Sequence, residues 1–272
     1  MSHSSIFYKN NLIPAGSQLF TTSNRAFRYG DGLFESIVWK NDAVRFWQYH
    51  YDRLHTGAAM LKMNCPGKKE LKNAITTIAK ANQLAGTTSR VGISLWRAGE
   101  GFYAPEGNES EYLVKTAAVD AKYLNQKPLR LGLYEEIKKP VSPLSCLKTL
   151  NSLLYVMAGI YKTENGWDEC IVLNEHGRIC EAVSSNVFWL KGEMVYTPAV
   201  SEGCIAGVMR RHICESISQS GYQLQEGGFE VAELENADAV FLSNAVSGPI
   251  AVGEFLSKKY DTALPDFGLS LG

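Results

Sequence analysis

The sequence lacks the features that mark several common classes of protein. Its six cysteines, Cys65, Cys146, Cys170, Cys180, Cys204 and Cys214, form no CxxC pair and no regular framework. That excludes a disulfide scaffold and is the pattern of free thiols in a reducing cytoplasm. The five histidines are scattered, and neither HExxH nor a Cys/His cluster occurs, so no metal site is expected. No apolar run approaches the roughly 20 residues that span a bilayer. The N-terminus, MSHSSIFYKNN, has no basic region followed by an apolar run, so no signal peptide is expected. Neither sign of charge dominates: 27 basic side chains face 28 acidic ones. That balance gives no electrostatic reason to expect nucleic acid or an anionic membrane as partner. Internal repeats and low-complexity tracts are absent as well.

What remains is an ordinary globular composition, 45% hydrophobic and 20% charged, over a length that suits one large domain or two of usual size. Phe34 to Lys40 alternates as a strand, Asn41-Asp42 is a turn signal, and Ala43 to Trp47 reads as the returning strand. Gln48 to Met63 and Glu70 to Leu84 carry apolar residues at helical spacing. Arg90 to Trp96 and Tyr112 to Ala118 alternate as strands around a Gly-, Pro- and Glu-rich loop, Gly99 to Ser110. The chain turns polar at residues 120–127, which suggests a linker between a small α/β domain (1–119) and a larger one (128–272). The second half predicts a strand from Leu129 to Tyr134, a Pro-containing loop and a helix over Thr149 to Thr163. Two hairpins follow, Cys170 to Leu173 with Arg178 to Ala182, and Asn186 to Leu190 with Met194 to Tyr196. A Gly-rich entry then opens a helix over Gly203 to Ser218, with strands near Gln223, at Ala239 to Leu242 and at Pro249 to Val252. The sum is an α+β chain.

Four places could carry chemistry. Lys148 is flanked by Leu147, Leu150, Leu153 and Leu154, and a desolvated amine is a nucleophile towards carbonyls. The ordinary alternative is a surface lysine whose stem covers apolar neighbours. Glu181 closes a strand before a Ser-Ser-Asn turn, where a carboxylate can hold a protonated ring nitrogen or simply sit exposed on a hairpin. Arg53 can clamp a phosphate or make a helix-surface ion pair. The GCIAGVMR stretch opens a helix whose first amides can bind phosphate. Each of these signals is weak alone.

Their order and surroundings resemble one family. NRAFRYGDGLFESI (Asn24 to Ile37), HYDRL (His50 to Leu54), LKTLN (Leu147 to Asn151), EAVSSNVFW (Glu181 to Trp189), YTP (Tyr196 to Pro198), GCIAGVMR (Gly203 to Arg210) and FLSNAVSGPIAV (Phe241 to Val252) are similar to motifs of the fold-type IV pyridoxal-phosphate (PLP) enzymes. That family contains branched-chain and D-amino-acid aminotransferases and 4-amino-4-deoxychorismate lyases. The resemblance implies a two-domain fold-type IV architecture and PLP as cofactor. Lys148 would form the Schiff base and move the proton at the substrate carbon. Glu181 would partner the pyridine nitrogen. Arg53, Ser185, Asn186, Ile205, Gly207, Val208, Met209, Asn244 and Ala245 would hold the cofactor, mostly at its phosphate. Arg28, Tyr29, Phe34, Ser36, Arg90 and Arg97 would line the substrate pocket, with Arg28 coming from a neighbouring subunit of a homodimer. Arg178 is a weaker candidate for the same work.

The departures carry information. Met209 and Ala245 stand where many aminotransferases of the family have threonine, a pattern closer to the lyases. Ser36 stands where the lyases usually have a threonine whose hydroxyl helps release pyruvate. The leading expectation is an aminotransferase passing an amino group between a small amino acid and a 2-oxo acid, because Arg28 and Arg90 suit a carboxylate. The alternative is aminodeoxychorismate lyase. A non-catalytic relative is a remote third reading, opposed by the presence of both Lys148 and Glu181.

Overall fold

The structure is a computed structural model that describes residues 5–119, 127–264 and 266–269. Among these, 5–119 and 147–152 form one compact unit, and 127–146 with 153–264 and 266–269 form the other. The sequence reading keeps 128–272 as one block, whereas the short lysine-bearing stretch packs with the first unit. Of the expected linker, residues 120–126 lie outside the described residues.

The first unit contains β1 (Ser5–Tyr8), β2 (Asn11–Pro14), α1 (Arg25–Tyr29), β3 (Gly32–Lys40), β4 (Ala43–Val44), α2 (Trp47–Met60), α3 (Lys68–Ala81), β5 (Ser89–Arg97) and β6 (Ser110–Ala118). Its six strands make an antiparallel sheet in the order β2-β1-β6-β5-β3-β4. Asn41 and Asp42 both take positive φ (50° and 56°), the left-handed pair that a two-residue hairpin turn requires. The expected return strand over Ala43 to Trp47 is cut to β4. Phe46 adopts φ 52° as the cap of α2, and that conformation ends a strand. In α3, Leu71, Ala74, Ile75, Ile78 and Ala79 are buried at helical spacing, as the apolar pattern predicts.

The second unit contains β7 (Leu129–Lys139), α4 (Leu153–Glu164), β8 (Glu169–Asn174), β9 (Ile179–Ala182), β10 (Asn186–Lys191), β11 (Met194–Pro198), α5 (Val208–Ile217), β12 (Gln223–Gly227), α6 (Ala232–Glu235), β13 (Ala239–Asn244), β14 (Gly248–Phe255) and β15 (Lys258–Lys259). Its sheet runs β12-β11-β10-β13-β14-β7-β8-β9, with β15 on β14. The pairs β11–β12, β14–β7 and β7–β8 are parallel. Both expected hairpins form, as β8–β9 and β10–β11. Strands buried on both faces read as continuous apolar runs, and IVL, VFWL and VFL from this sheet are buried throughout.

Two helix boundaries differ from expectation. Residues 149–152 are not helical, because Thr149 bridges Leu33 as an added strand-like segment and α4 starts only at Leu153. The helix expected from Gly203 starts at Val208. Residues Val200–Glu202 instead make a short 3-10 turn, and Gly203 takes a left-handed conformation that ends it.

Candidate active site

In the first unit the Lys148 stretch is tied to the start of β3. Phe34 N donates to Lys148 O (2.9 Å) and Leu150 N donates to Gly32 O (2.9 Å). The two chains approach closely because Gly32 has no side chain. A Cβ there would fall 2.3 Å from Leu95 O. Gly30, at φ 63°, supplies the left-handed turn before β3, and a Cβ on it would meet Asn151 N at 2.9 Å. The half-buried Lys148 places Nζ 4.2 Å from the centre of the Phe34 ring, a cation–π contact.

Behind Phe34, on the other face of β3, lies a buried charge cluster. Glu35 is 2% exposed and accepts from Arg53 Nε (2.8 Å), from an Arg53 terminal nitrogen (2.6 Å) and from His50 Nδ1 (2.6 Å). His50 and Arg53 lie one turn apart on α2, so a single carboxylate reaches both. Burial alone would raise the Glu35 pKa. The Arg53 charge and the bonds from Arg53 and His50 outweigh it and hold the carboxyl at about 2. Burial lowers the His50 pKa, with Arg53 and Lys148 adding to the effect against Glu35. His50 is therefore neutral near pH 7 and donates from Nδ1, and its buried Nε2 has no hydrogen-bond partner.

In the second unit Glu181 on β9 is 3% exposed. Its Oε1 accepts from Lys139 Nζ (2.5 Å) and Tyr155 Oη (2.6 Å), and its Oε2 from Ile205 N (2.9 Å). Three donors, one of them a cation, hold this buried carboxylate in one orientation. Burial first, then the charge of Glu181, raises the Tyr155 pKa, so the phenol stays a donor. Ile205 is thus engaged through its amide with Glu181, and its carbonyl accepts from Asn186 Nδ2 (2.9 Å).

Gly207 caps α5 without a side-chain hydrogen bond. The amides of the first turn, including those of Val208 and Met209, have no intrahelical acceptor. Any Cβ on Gly207 would overlap Asn186 Oδ1, so this approach stays bare. The Met209 side chain is 1% exposed and packs into the core, leaving its backbone as the part that can meet a ligand. Asn244 Nδ2 donates to Ser185 Oγ (3.0 Å), while Asn244 Oδ1 accepts from Val246 N and Ser247 N and so shapes the turn around half-buried Ala245.

The substrate candidates divide. Phe34, Ser36 and Arg90 line one cavity of about 380 Å³ on the first unit's sheet, together with Leu150 and Ser152 from the Lys148 stretch. An Arg90 terminal nitrogen donates to Ser36 Oγ (2.8 Å). Arg28 is elsewhere. Its guanidinium lies over the rings of Tyr29 (4.9 Å) and Phe102 (5.6 Å), and Tyr29 also packs at a tilt against Tyr103. Arg97 is 6% exposed and bonds to Asp31, to the carbonyls of Leu61 and Lys62 and to Asn108. Those bonds tie Asp31 and the residues after α2 to the end of β5. Arg178 likewise makes a two-point pair with Glu202. Sequence reasoning missed Lys139, Tyr155, Glu35 and His50. Local pattern gave no signal for Lys139, since residues 135–137 of β7 are all exposed and the strand register shifts between Tyr134 and Lys139.

Comparison with known proteins places the chain in a family. The family model described as amino-transferase class IV matches residues 32–255. An aminodeoxychorismate lyase of Bacillus subtilis is 30% identical over 82% of this chain and 77% of its own length. One of Vibrio harveyi is 28% identical over 83% of each. In fold, the branched-chain aminotransferase of Thermoproteus uzoniensis superposes with a TM-score of 0.88 at 20% identity, over 97% of this chain and 91% of that one. The chain belongs to the class IV amino-transferase family.

Proposed function

We propose that this chain is a pyridoxal-phosphate enzyme that works as an aminodeoxychorismate lyase, converting 4-amino-4-deoxychorismate to 4-aminobenzoate and pyruvate. The observation that carries the choice is the cavity in which the Ser36 hydroxyl, held by Arg90, lies on the same wall as Phe34, whose ring carries the Lys148 amine. The two lyases among the relatives support the same reading.

The donor set suits the cofactor. A buried carboxylate at Glu181 suits a protonated pyridine nitrogen, the bare helix start at Gly207 to Met209 suits a phosphate, and Arg53 is a second phosphate ligand. Bound pyridoxal phosphate supplies an aldehyde that condenses with amines and a ring that accepts electrons from the carbon bearing the nitrogen. Lys148 takes the proton from that carbon. Ser36 supplies a proton to the departing pyruvate, and Arg90 orients the hydroxyl and faces a carboxylate. Lys139 and Tyr155 keep Glu181 aimed. Ser185, Asn186, Asn244 and Ala245 shape the turns around the phosphate.

Transamination between a small amino acid and a 2-oxo acid is the second reading, carried by Arg90 as a carboxylate ligand. It also draws on Arg28, which would come from a neighbouring subunit.

A cytoplasmic homodimer is the proposed form. All six cysteines are free. Among the described residues no helix is long and apolar enough to cross a membrane. Leu153, Val156, Met157 and Ile160 form an exposed apolar stripe on α4, suited to a second copy.

The test combines two assays on the purified chain loaded with pyridoxal phosphate. Pyruvate release from aminodeoxychorismate is followed by a coupled dehydrogenase, and a panel of L- and D-amino acids is screened for bleaching of the yellow absorbance. Pyruvate release without bleaching is the expected result. Bleaching without pyruvate would overturn it in favour of transamination. Lys148→Ala should lose both the yellow colour and turnover, and retained activity would remove Lys148 from its role.

A further inference from the structure

Lys139 ends β7 with its side chain buried. A lysine is almost never fully buried without a partner. Its backbone is fixed by parallel pairing with Asn174 of β8 and by the bond from Glu175 N to Lys139 O (2.9 Å). Glu181 lies on β9, on the other side of β8, opposite Val172. The lysine stem therefore reaches across β8 to the carboxylate. Its Nζ donates to Glu181 Oε1 and stands 5.3 Å from the centre of the Tyr155 ring, while Tyr155 Oη donates to the same oxygen. Ile205 N donates to Oε2.

A carboxylate offers about four lone-pair positions, two on each oxygen. Three are used here, and the one left is on Oε2. Under the proposed function that position is left for the protonated ring nitrogen. The ring would then be a second cation on a carboxylate that already carries one. Other charges near Glu181 within this unit are balanced. Glu202 pairs with Arg178, and Glu226 pairs with Arg210. The neighbouring thiols are neutral near pH 7, because burial and then the Glu181 charge raise both, Cys204 to about 12. The Tyr155 phenol stays neutral for the same two reasons. Lys139 is therefore the cation that acts on any positive group brought to Oε2. Two like charges on one anion each weaken the hold on the other.

We propose that Lys139, acting through Glu181, loosens the proton on the ring nitrogen and so sets how strongly the cofactor accepts electrons. The inference rests on Glu181 being the carboxylate that meets that nitrogen. Tyr155 and Ile205 fix the direction of the carboxylate without adding charge, so aim and charge come from different residues. A protonated ring accepts electrons strongly and a neutral one weakly. The ammonium moves the balance towards the neutral ring.

The test reads the ring nitrogen itself. The purified chain is loaded with pyridoxal phosphate isotope-labelled at that atom, and its NMR shift is followed against pH. Lys139→Gln keeps a donor for Oε1 and removes the charge. Its ring should hold the proton to a pH at least about one unit above the wild type, a tenfold gain in proton affinity. Lys139→Met, the second neutral variant, should move the titration in the same direction. Lys139→Arg should stay within about half a unit of the wild type. So should Tyr155→Phe, which takes a neutral donor from the same oxygen. A purely structural Lys139 would instead make Tyr155→Phe and Lys139→Gln move the titration alike. The same protonated fraction in Lys139→Gln and the wild type at every pH would overturn the proposal, as would a shift to lower pH. Glu181→Gln separates the two ideas, since it should lose the ring proton at lower pH than the wild type. No shift there would sink Glu181 as the ring's partner and the proposal with it. A shift in Glu181→Gln but none in Lys139→Gln would sink only the role of Lys139.

Discussion

Replacing Lys139 with methionine removes one half of an ion pair whose side chains are 8% and 3% exposed. The Glu181 carboxylate would keep two neutral donors, Tyr155 Oη at 2.6 Å and Ile205 N at 2.9 Å, but lose its only cation within 4 Å among the described residues. Removing one partner of a buried pair typically costs about 3–5 kcal/mol, because the other charge stays buried and uncompensated. At roughly 2–4 °C per kcal/mol for a chain of this size, the apoprotein's melting temperature should fall by about 10 °C. The double variant Lys139→Met with Glu181→Gln removes both charges and leaves an amide that Tyr155 can still reach. It should recover much of the loss, giving a coupling energy of at least about 2 kcal/mol in a double-mutant cycle. The assay is thermal unfolding of all four apoproteins at pH 7 and one salt concentration. Additive single losses would refute the argument, since the two residues would then stabilise independently. A wild-type-like Lys139→Met would show that water reaches Glu181 and screens it.

Two other outcomes follow from the same reasoning. Glu35 has a folded pKa of about 2, below its unfolded value, so its stabilisation is complete above pH about 4.5 and is lost as pH falls towards 2. His50, also depressed, adds an earlier loss that begins below about 6.5. Melting temperature against pH should show both limbs in the wild type, and Glu35→Gln should lose the lower one while being less stable at pH 7. An identical acid limb in the variant would show that other carboxylates dominate. On α4, Ile160→Glu places a charge in the exposed apolar stripe and should convert a dimer to a monomer by light scattering. An unchanged mass would mean that the stripe is not the dimer contact.

Local pattern was enough for much of the fold. The periodicity of α3, the Asn41-Asp42 turn and the two hairpins of the second unit depend on residues near each other in the chain, and all three form. The α4 start was missed for the opposite reason. Thr149 to Ser152 leads into an apolar helical pattern, but Thr149, Asn151 and Ser152 are poor helix formers and the stretch pairs with Gly32 to Phe34, more than a hundred residues earlier. The candidate site divides in the same way. Lys148, Glu181 and Arg53 are legible because motifs fix their neighbours. Lys139 and Tyr155 are legible only through their distant partner, Glu181. Nothing local reveals that Arg97 bonds to Asp31 and two carbonyls.

The membership of residues 147–152 in the first unit, while the chain on either side belongs to the second, has a consequence for how the protein can be divided. The polypeptide changes unit three times, so no single cut yields both units whole. A fragment ending near residue 119 would have its sheet and three helices but would lack the stretch that satisfies the Phe34 amide and the Gly32 carbonyl. It would present a raw strand end where the lysine belongs, the kind of unpaired edge that recruits other chains. Shuffling the two halves between relatives would therefore succeed only where the exchanged piece carries its six-residue graft with it, so that the backbone of Lys148 travels with the sheet that holds it rather than with its neighbours in sequence.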